Sequence, residues 1–340
     1  MSENLKMATF SRTISLLLAA GTGASLSAQT IICSGAELYS KPTQGVKYGR
    51  WEIRMKPAAT PGSVSSFFTY YDSSWRGKPE PWREIDIEVV GHKPNSFQSN
   101  IITGWLDKSL PDPEKGKITS ELHHTVNGMS SGFQTFTLDW TPDSVVWRVN
   151  GKTVRKNDAT DPQVLELRDK KQSYRMNLWS SSISDWVGTL DLSKLPILQV
   201  VNWMRYSSYT PGTGENGSDF TFSWLDDFDR FDTKRWAGGD WTFETNQAQF
   251  DPSNIVTQDG YLVLALTRPG QEGVIGNLPL DPTGNKYSGS ASVHGATSPA
   301  RTLHARATGT GLRIEGLEGY RGNVEIRDLR GNRLASTTMN

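Results

Sequence analysis

From Tyr48 onward the chain reads as a succession of short runs in which apolar and polar residues alternate: "YGRWEIRMK", "VSSFFTYY", "EIDIEVV", "FQSNIIT", "FQTFTLDW", "SVVWRVNG", "RMNLWSS", "VVNWMRYSSY", "DFTFSW" and "GYLVLALT". A period of two over such lengths predicts β-strands with one buried face, and few segments carry a helical period. Asn150-Gly151, set between "VVWRV" and "KTVRK", is a hairpin signal because both residues tolerate positive φ. The pattern predicts an all-β, mainly antiparallel architecture with meander connections.

The strictest alternation is "WREIDIEVVG", where Glu84, Asp86 and Glu88 take every second position and Ile85, Ile87 and Val89 fill the gaps. This predicts a strand that buries its apolar face and lines the other with three like charges. "SFQSNIITG" follows, with Gln98 and Asn100 on one parity and Phe97, Ser99 and Ile101 on the other.

Residues 276–300, "GNLPLDPTGNKYSGSASVHGATSPA", have linker composition, so a main domain is expected over 29–275. Within residues 301–340, "GLRIEGLEGYRGNVEIRDLRGNRLA" alternates again and predicts two or three strands in a short β-rich C-terminal tail, similar to the secretion or sorting segments of exported bacterial enzymes. At the other end, Lys6 and Arg12 precede "ISLLLAAGTGASL" and small residues up to Ala28, the layout of a cleavable signal peptide over 1–28. That apolar run falls short of the roughly 20 residues a membrane span needs. The expectation is a secreted protein with no membrane association after cleavage.

Composition narrows the partner. Lys plus Arg and Asp plus Glu number 36 each, so no net field favours nucleic acid or an anionic surface. The 12 Trp, 12 Phe and 10 Tyr suit short strands and supply flat apolar rings. Cys33 is the sole cysteine, which excludes an intrachain disulfide. His123 and His124 are adjacent, so on a strand they face opposite ways, and no third ligand is spaced nearby for a metal.

Three crowded carboxylates cannot all ionise, so one holds a proton while its neighbours stay charged. In a strand Glu84 and Glu88 have backbones about 13 Å apart, and two Glu side chains leaning together close most of that gap. A retaining glycosidase needs its two carboxyl groups about 5–5.5 Å apart. By spacing alone the row fits catalysis, a solvated strand face or a divalent-ion site.

"WREIDIEVVG" with "SFQSNIITG" resembles the catalytic strand and its neighbour in glycoside hydrolase family 16, and "YGRWEIRMK", "FTLDWTPDSVVWRVNG", "YRMNLWSS" and "WVG" resemble its other strands, over roughly residues 34–270. Segment order is rotated: "DDFDRFDTKRWAGGDWTF" and "NIVTQDGYLVLALTR", which open the domain in most members, here follow the catalytic strand. The chain thus resembles the circularly permuted bacterial 1,3-1,4-β-glucanases (lichenases) of that family. The resemblance implies a β-jelly-roll sandwich of two curved antiparallel sheets with the substrate cleft on a concave face.

It also implies roles. Glu84 would be the nucleophile, Glu88 the general acid/base and Asp86 their helper. Phe68, Tyr70, Trp82, Trp179 and Trp241 would contact sugar rings, and Glu37, Gln98, Asn100, Arg175 and Asn177 would bind hydroxyls. A structural Ca2+ would be held by Asn202, Asp227 and Gly260, largely through backbone oxygens, with no cofactor in catalysis. The uninterrupted Glu-x-Asp-x-Glu strand is the lichenase form. The expected function is a secreted, monomeric, retaining endo-β-1,3-1,4-glucanase acting on mixed-linkage β-glucan. Activity on laminarin or another β-glucan, or glucan binding without hydrolysis, are the alternatives.

Overall fold

A computed structural model describes residues 30–109, 116–284 and 287, together with four strands beyond residue 303. The expected signal peptide, residues 1–28, lies outside the described residues. In chain order the first strands are β1 (Cys33–Ser40), β2 (Gly49–Lys56), β3 (Ser63–Tyr70), β4 (Glu84–Val90), β5 (Ser96–Gly104), β6 (Lys117–Thr119) and β7 (Leu122–Thr125). Next come β8 (Gln134–Thr141), β9 (Ser144–Val149), β10 (Lys152–Asp158), helix α1 (Pro162–Glu166), β11 (Ser173–Ser180), helix α2 (Ser184–Val187) and β12 (Ile197–Tyr209). The series closes with β13 (Phe220–Asp226), β14 (Trp236–Gly238), β15 (Ala248–Phe250), β16 (Ile255–Gln258) and β17 (Tyr261–Leu266).

These strands form two sheets. One runs β14-β1-β11-β3-β4-β5-β6, with β15 also on β1 and β7 on β5; the other runs β10-β9-β8-β2-β12-β17-β16, with β13 on β12. Pairing is antiparallel except between β1 and β15. The result is the expected jelly-roll-like all-β sandwich. Asn150-Gly151 turns β9 into β10, with both residues at positive φ.

Alternation decides what each face does. Ile85, Ile87 and Val89 of β4 and Met176 and Leu178 of β11 meet Trp51 and Ile53 of β2, Phe136 and Leu138 of β8 and Trp147 of β9, all fully buried. Each such side chain contributes roughly 1.5–3 kcal/mol on leaving water. The Trp147 indole also crosses the core to donate to the Asp86 backbone carbonyl at 2.9 Å, joining the second sheet to the middle of β4.

The domain's two ends meet. Ser34 and Thr267 exchange backbone hydrogen bonds of 2.9 and 2.8 Å, and β1 is flanked by β14 and β15 from much later in the chain. Four further strands form two hairpins, His304–Thr308 with Gly311–Glu315 and Gly322–Arg327 with Arg333–Met339. Three of these strands fall in or begin within residues 311–335, and His304–Thr308 precedes them.

Linker composition misjudges residues 276–284. Leu278 packs with Val200, Tyr261 and Val263 on the outer face of the second sheet, and Asp281 is buried there. Its carboxylate accepts from Arg54 Nε and Nη2 at 2.8 and 2.7 Å, from Asn202 Nδ2 at 2.8 Å and from the Thr283 N–H at 3.1 Å. A segment poor in apolar residues is held by one buried ion pair rather than by a hydrophobic stripe, so composition does not reveal it.

Burial alone would push the Asp281 carboxyl up, but these hydrogen bonds outweigh it and hold it at about 2. Its contribution to stability is therefore present above the ordinary aspartate range and is lost as pH falls towards 2. Asp281→Ala leaves Arg54 without its carboxylate and should lower unfolding free energy by about 3–5 kcal/mol in urea denaturation at pH 7. An unchanged midpoint would show that the segment after residue 275 is not part of the fold.

Candidate active site

The ladders of the first sheet set the site's geometry, because residues directly opposite on neighbouring strands share a face. One row reads Gln98, Glu88, Ser66, Asn177, Glu37; the next reads Asn100, Asp86, Phe68, Arg175, Tyr39; a third holds Ile102, Glu84, Tyr70 and Ser173. All three acids and seven of the ten expected binding residues are in these rows, and Trp82, Trp179 and Trp241 flank them. No register shift interrupts β4 in its pairing with β3 or β5.

Each acid has its own surroundings. Glu84 accepts a hydrogen bond from the Trp82 indole at 2.5 Å, and Lys117 lies near, its Nζ 4.5 Å from the centre of the Trp82 ring. Burial pushes the Glu84 carboxyl up, while Trp82, Asp86 and the charges of Lys117 and Arg175 pull it back. Asp86, almost wholly buried, is pushed well above the carboxylate range by desolvation and then by the charges of Glu84 and Glu88. A side-chain hydrogen bond between Asp86 and Glu84 adds to the rise of Asp86 and pulls Glu84 down. Burial pushes Glu88 up to about 8; the Gln98 Nε2 hydrogen bond at 2.6 Å opposes this, while the charges of Glu84 and Glu121 add to it.

Beside the acids a buried polar cluster spans all three rows. Arg175 donates to Glu37 Oε1 at 2.6 Å, to Asp72 Oδ1 at 2.7 Å and to Ser173 Oγ at 2.8 Å. Its guanidinium also lies 4.9, 5.4 and 6.0 Å from the ring centres of Tyr70, Tyr39 and Trp241. Asn177 accepts from Ser66 Oγ at 2.5 Å, and Asn100 Oδ1 accepts from the Ser120 N–H at 2.9 Å. Phe68, Tyr70 and Trp82 form consecutive edge-to-face contacts at 6.4 and 5.6 Å.

Trp179 departs from the sequence reading. It is on the expected surface, yet it packs between Trp186 at 5.8 Å and Phe243 at 4.8 Å and is only 6% exposed. The ring that presents area there is Phe243, 37% exposed. Parity could have found it, since Trp241 and Phe243 are two apart. Gln98 likewise holds Glu88, a role that parity alone does not reveal. Glu121, Lys117, Asp72 and Trp186 were not anticipated, because they sit on short edge strands or turns without a period to read.

The two histidines divide as adjacent strand residues must. His124 Nε2 lies 2.8 Å from Ser99 Oγ and its ring packs on Phe97 at 5.0 Å, while His123 Nε2 pairs with Glu121 Oε1 at 3.0 Å. Among the described residues no group of three or more His, Cys, Asp or Glu is placed to hold a metal ion. Asn202, expected near calcium, lies on β12 where pairing with β17 ends at Val201 and pairing with β13 begins at Met204. Its Oδ1 is buried without a hydrogen-bond partner.

The family model "Glycosyl hydrolases family 16" matches residues 6–196, more than half of the chain. A β-glucanase of Fibrobacter succinogenes is 49% identical over 249 residues, covering 73% of this chain and 68% of that protein. β-Glucanases of Brevibacillus brevis and Bacillus amyloliquefaciens are 33% and 32% identical over 47% and 49% of this chain. The matches span 56% and 62% of their own lengths, less than two thirds. A solved β-glucanase of Bacillus licheniformis overlaps 50% of this chain and 76% of its own at 26% identity, with a TM-score of 0.39.

In a carboxyl-labelled NMR titration of the full chain, Glu88 should titrate near 8, and Glu121→Gln should move that midpoint down by removing a like charge. A midpoint near the ordinary value of about 4.3 would contradict the desolvation described above.

Proposed function

The chain belongs to glycosyl hydrolase family 16, and we propose that it is an endo-acting, retaining β-glucanase that cuts β-1,4 bonds following β-1,3-linked glucose in mixed-linkage glucan. The observation that carries this reading is the arrangement on β4: Glu84, Asp86 and Glu88 line one face in unbroken register, Glu84 accepting from the Trp82 indole at 2.5 Å and Glu88 from Gln98 Nε2 at 2.6 Å, with burial raising all three carboxyls. A module that only binds sugar has no use for three desolvated carboxyls. The uninterrupted register of β4 supports the lichenase form, and the 49% identity to a β-glucanase supports the substrate class.

Glu84 attacks the anomeric carbon as Glu88 gives its proton to the departing oxygen. Glu88, now ionised, takes a proton from water, which attacks the same carbon and releases Glu84. The Asp86 hydrogen bond to Glu84 weakens as the nucleophile's charge is lost in the covalent intermediate and strengthens as that charge returns on release. Arg175, Glu37, Asn177, Asn100 and the rings of Tyr70, Trp82, Trp241 and Phe243 would bind sugar hydroxyls and faces.

A rotated segment order is supported by two observations: the family model stops at residue 196 while the Fibrobacter match runs over 249 residues, and Ser34 meets Thr267. Residues 1–28 as a signal peptide, and hence secretion, belong to the same proposal, as does action as a monomer.

For calcium, the unpartnered Asn202 Oδ1 and the gap between the β17 and β13 ladders fit a hard cation that takes oxygen donors. Asn202, Asp227 and Gly260 would hold it, and it would stabilise the sandwich without entering the reaction. Calcium should therefore raise the melting temperature after chelator treatment; no change would remove it from the account.

Reducing-sugar release from barley β-glucan, laminarin and carboxymethyl cellulose tests the specificity: release from barley glucan alone supports it, and release from laminarin reassigns it. Glu84→Ala should lose turnover and regain it with azide, giving a product of inverted configuration. Glu88→Ala should lose about 10²–10⁴-fold on glucan while sparing the first step on aryl glycosides with good leaving groups. Normal turnover by Glu84→Ala would sink the assignment.

A further inference from the structure

Gln98 is 1% exposed and stands directly opposite Glu88 in the β4–β5 ladder. A primary amide has one accepting and one donating end, and nothing in its own shape decides which end faces the carboxyl. A neighbour decides it here. The Trp186 indole N–H, 3.0 Å from Gln98 Oε1, is a donor and cannot accept, so it fixes the carbonyl end and turns the Nε2 end to Glu88 at 2.6 Å. We infer that Trp186 is a positioning residue for Glu88, acting by locking the orientation of the Gln98 amide.

The turn that carries Trp186 is well held. Its ring packs on Trp179 at 5.8 Å, and its helix α2 ends at Gly188, where φ is +81° and the N–H donates to Ser184 O at 2.7 Å. A Cβ at Gly188 would meet Pro61 at 3.2 Å and His92 Nδ1 at 3.3 Å, so backbone conformation and close packing both restrict this position.

The lock has a chemical sense. With an N–H donor facing it, the ionised form of Glu88 is favoured; with the amide reversed, the carbonyl would accept the proton of the acid form and hold it. The groups that set the same balance are Glu84 on the same strand and Glu121 between β6 and β7, whose carboxylate pairs with His123, itself 3.2 Å from Lys93 Nζ; Asp86, between the two glutamates, is itself raised by the Glu88 charge. Ser66, opposite Glu88 on β3, is uncharged. Trp186 is the one contributor that acts through another residue's orientation, not through charge.

The inference rests on the reading of Glu88 as acid/base, and the experiment separates the two. Trp186→Phe keeps a ring for Trp179 and removes only the donor. The alkaline limb of kcat/KM on barley β-glucan should move up by about one to two units, the size of one hydrogen bond to a carboxylate. The first step on an aryl glycoside with a good leaving group should stay within about twofold, since it needs no proton from Glu88. Gln98→Leu should shift the limb in the same direction, and adding Trp186→Phe to it should shift it no further.

An active wild type whose limb is unmoved by Trp186→Phe overturns the inference alone, and so does an equal further shift in the Gln98→Leu background. A wild type that releases sugar from no β-glucan overturns the acid/base reading and this inference with it. Should Trp186→Phe fail to fold, the wild type still decides: the Trp186 indole proton should exchange slowly and its NMR shift should follow the titration of Glu88. A freely exchanging, non-titrating indole overturns the inference.

Discussion

Glu84, Asp86 and Glu88 share one face because Ile85, Ile87 and Val89 claim the other. A slip of one residue in the pairing of β4 would send three carboxyls into the core and three aliphatic side chains into the cleft, so register is specified by the burial of the apolar set. The rest of the site inherits that register. The rungs that align Glu88 with Gln98 and Asp86 with Phe68 and Arg175 are the same backbone pairings that hold the sheet together, and the Trp147 indole fastens the midpoint of β4 to the opposite sheet.

Raised carboxyl groups burden the fold. Groups that bind protons more tightly folded than unfolded stabilise at low pH and lose that contribution as pH rises through their folded values. For Glu88 the loss runs from the ordinary carboxylate range up to about 8, and the raised Asp86 adds a loss of the same sign, so near neutrality the site is a destabilising element tolerated by a large core. Asp281 has the opposite dependence and sits on the far face of the second sheet. Activity and stability are thus built from carboxyls of opposite sense, separated by the thickness of the sandwich.

Strand identity and the catalytic face were legible because a period of two is a direct readout of what is buried. β4, β5 and β11 announce themselves, and Glu84, Asp86, Glu88, Gln98 and Asn177 fall where parity puts them. Trp179 shows the limit: parity gives a face, but whether a ring on that face is covered depends on Trp186 and Phe243, which approach from elsewhere in the chain. Trp186 sits on a four-residue helix, too short to show a period. Residues 276–284 look like linker because Asp281 is anchored by charge. The oxygen donors around Asn202 include backbone atoms, which every residue carries.

The meeting of Ser34 with Thr267 has a consequence for how the molecule comes into being. β1 is the first strand of the sandwich to be synthesised, yet its partners are β11, β14 and β15. Ala36 and Leu38, fully buried in the finished fold, therefore emerge from the ribosome without a strand partner until β11, ending at Ser180, has been made, and Cys33 waits for β15, ending at Phe250. Contacts so distant along the chain form slowly, and an apolar strand left unpaired meanwhile is a site for chaperones or for aggregation. In this topology the strand of the described sandwich that is made first is among the last to be fully paired.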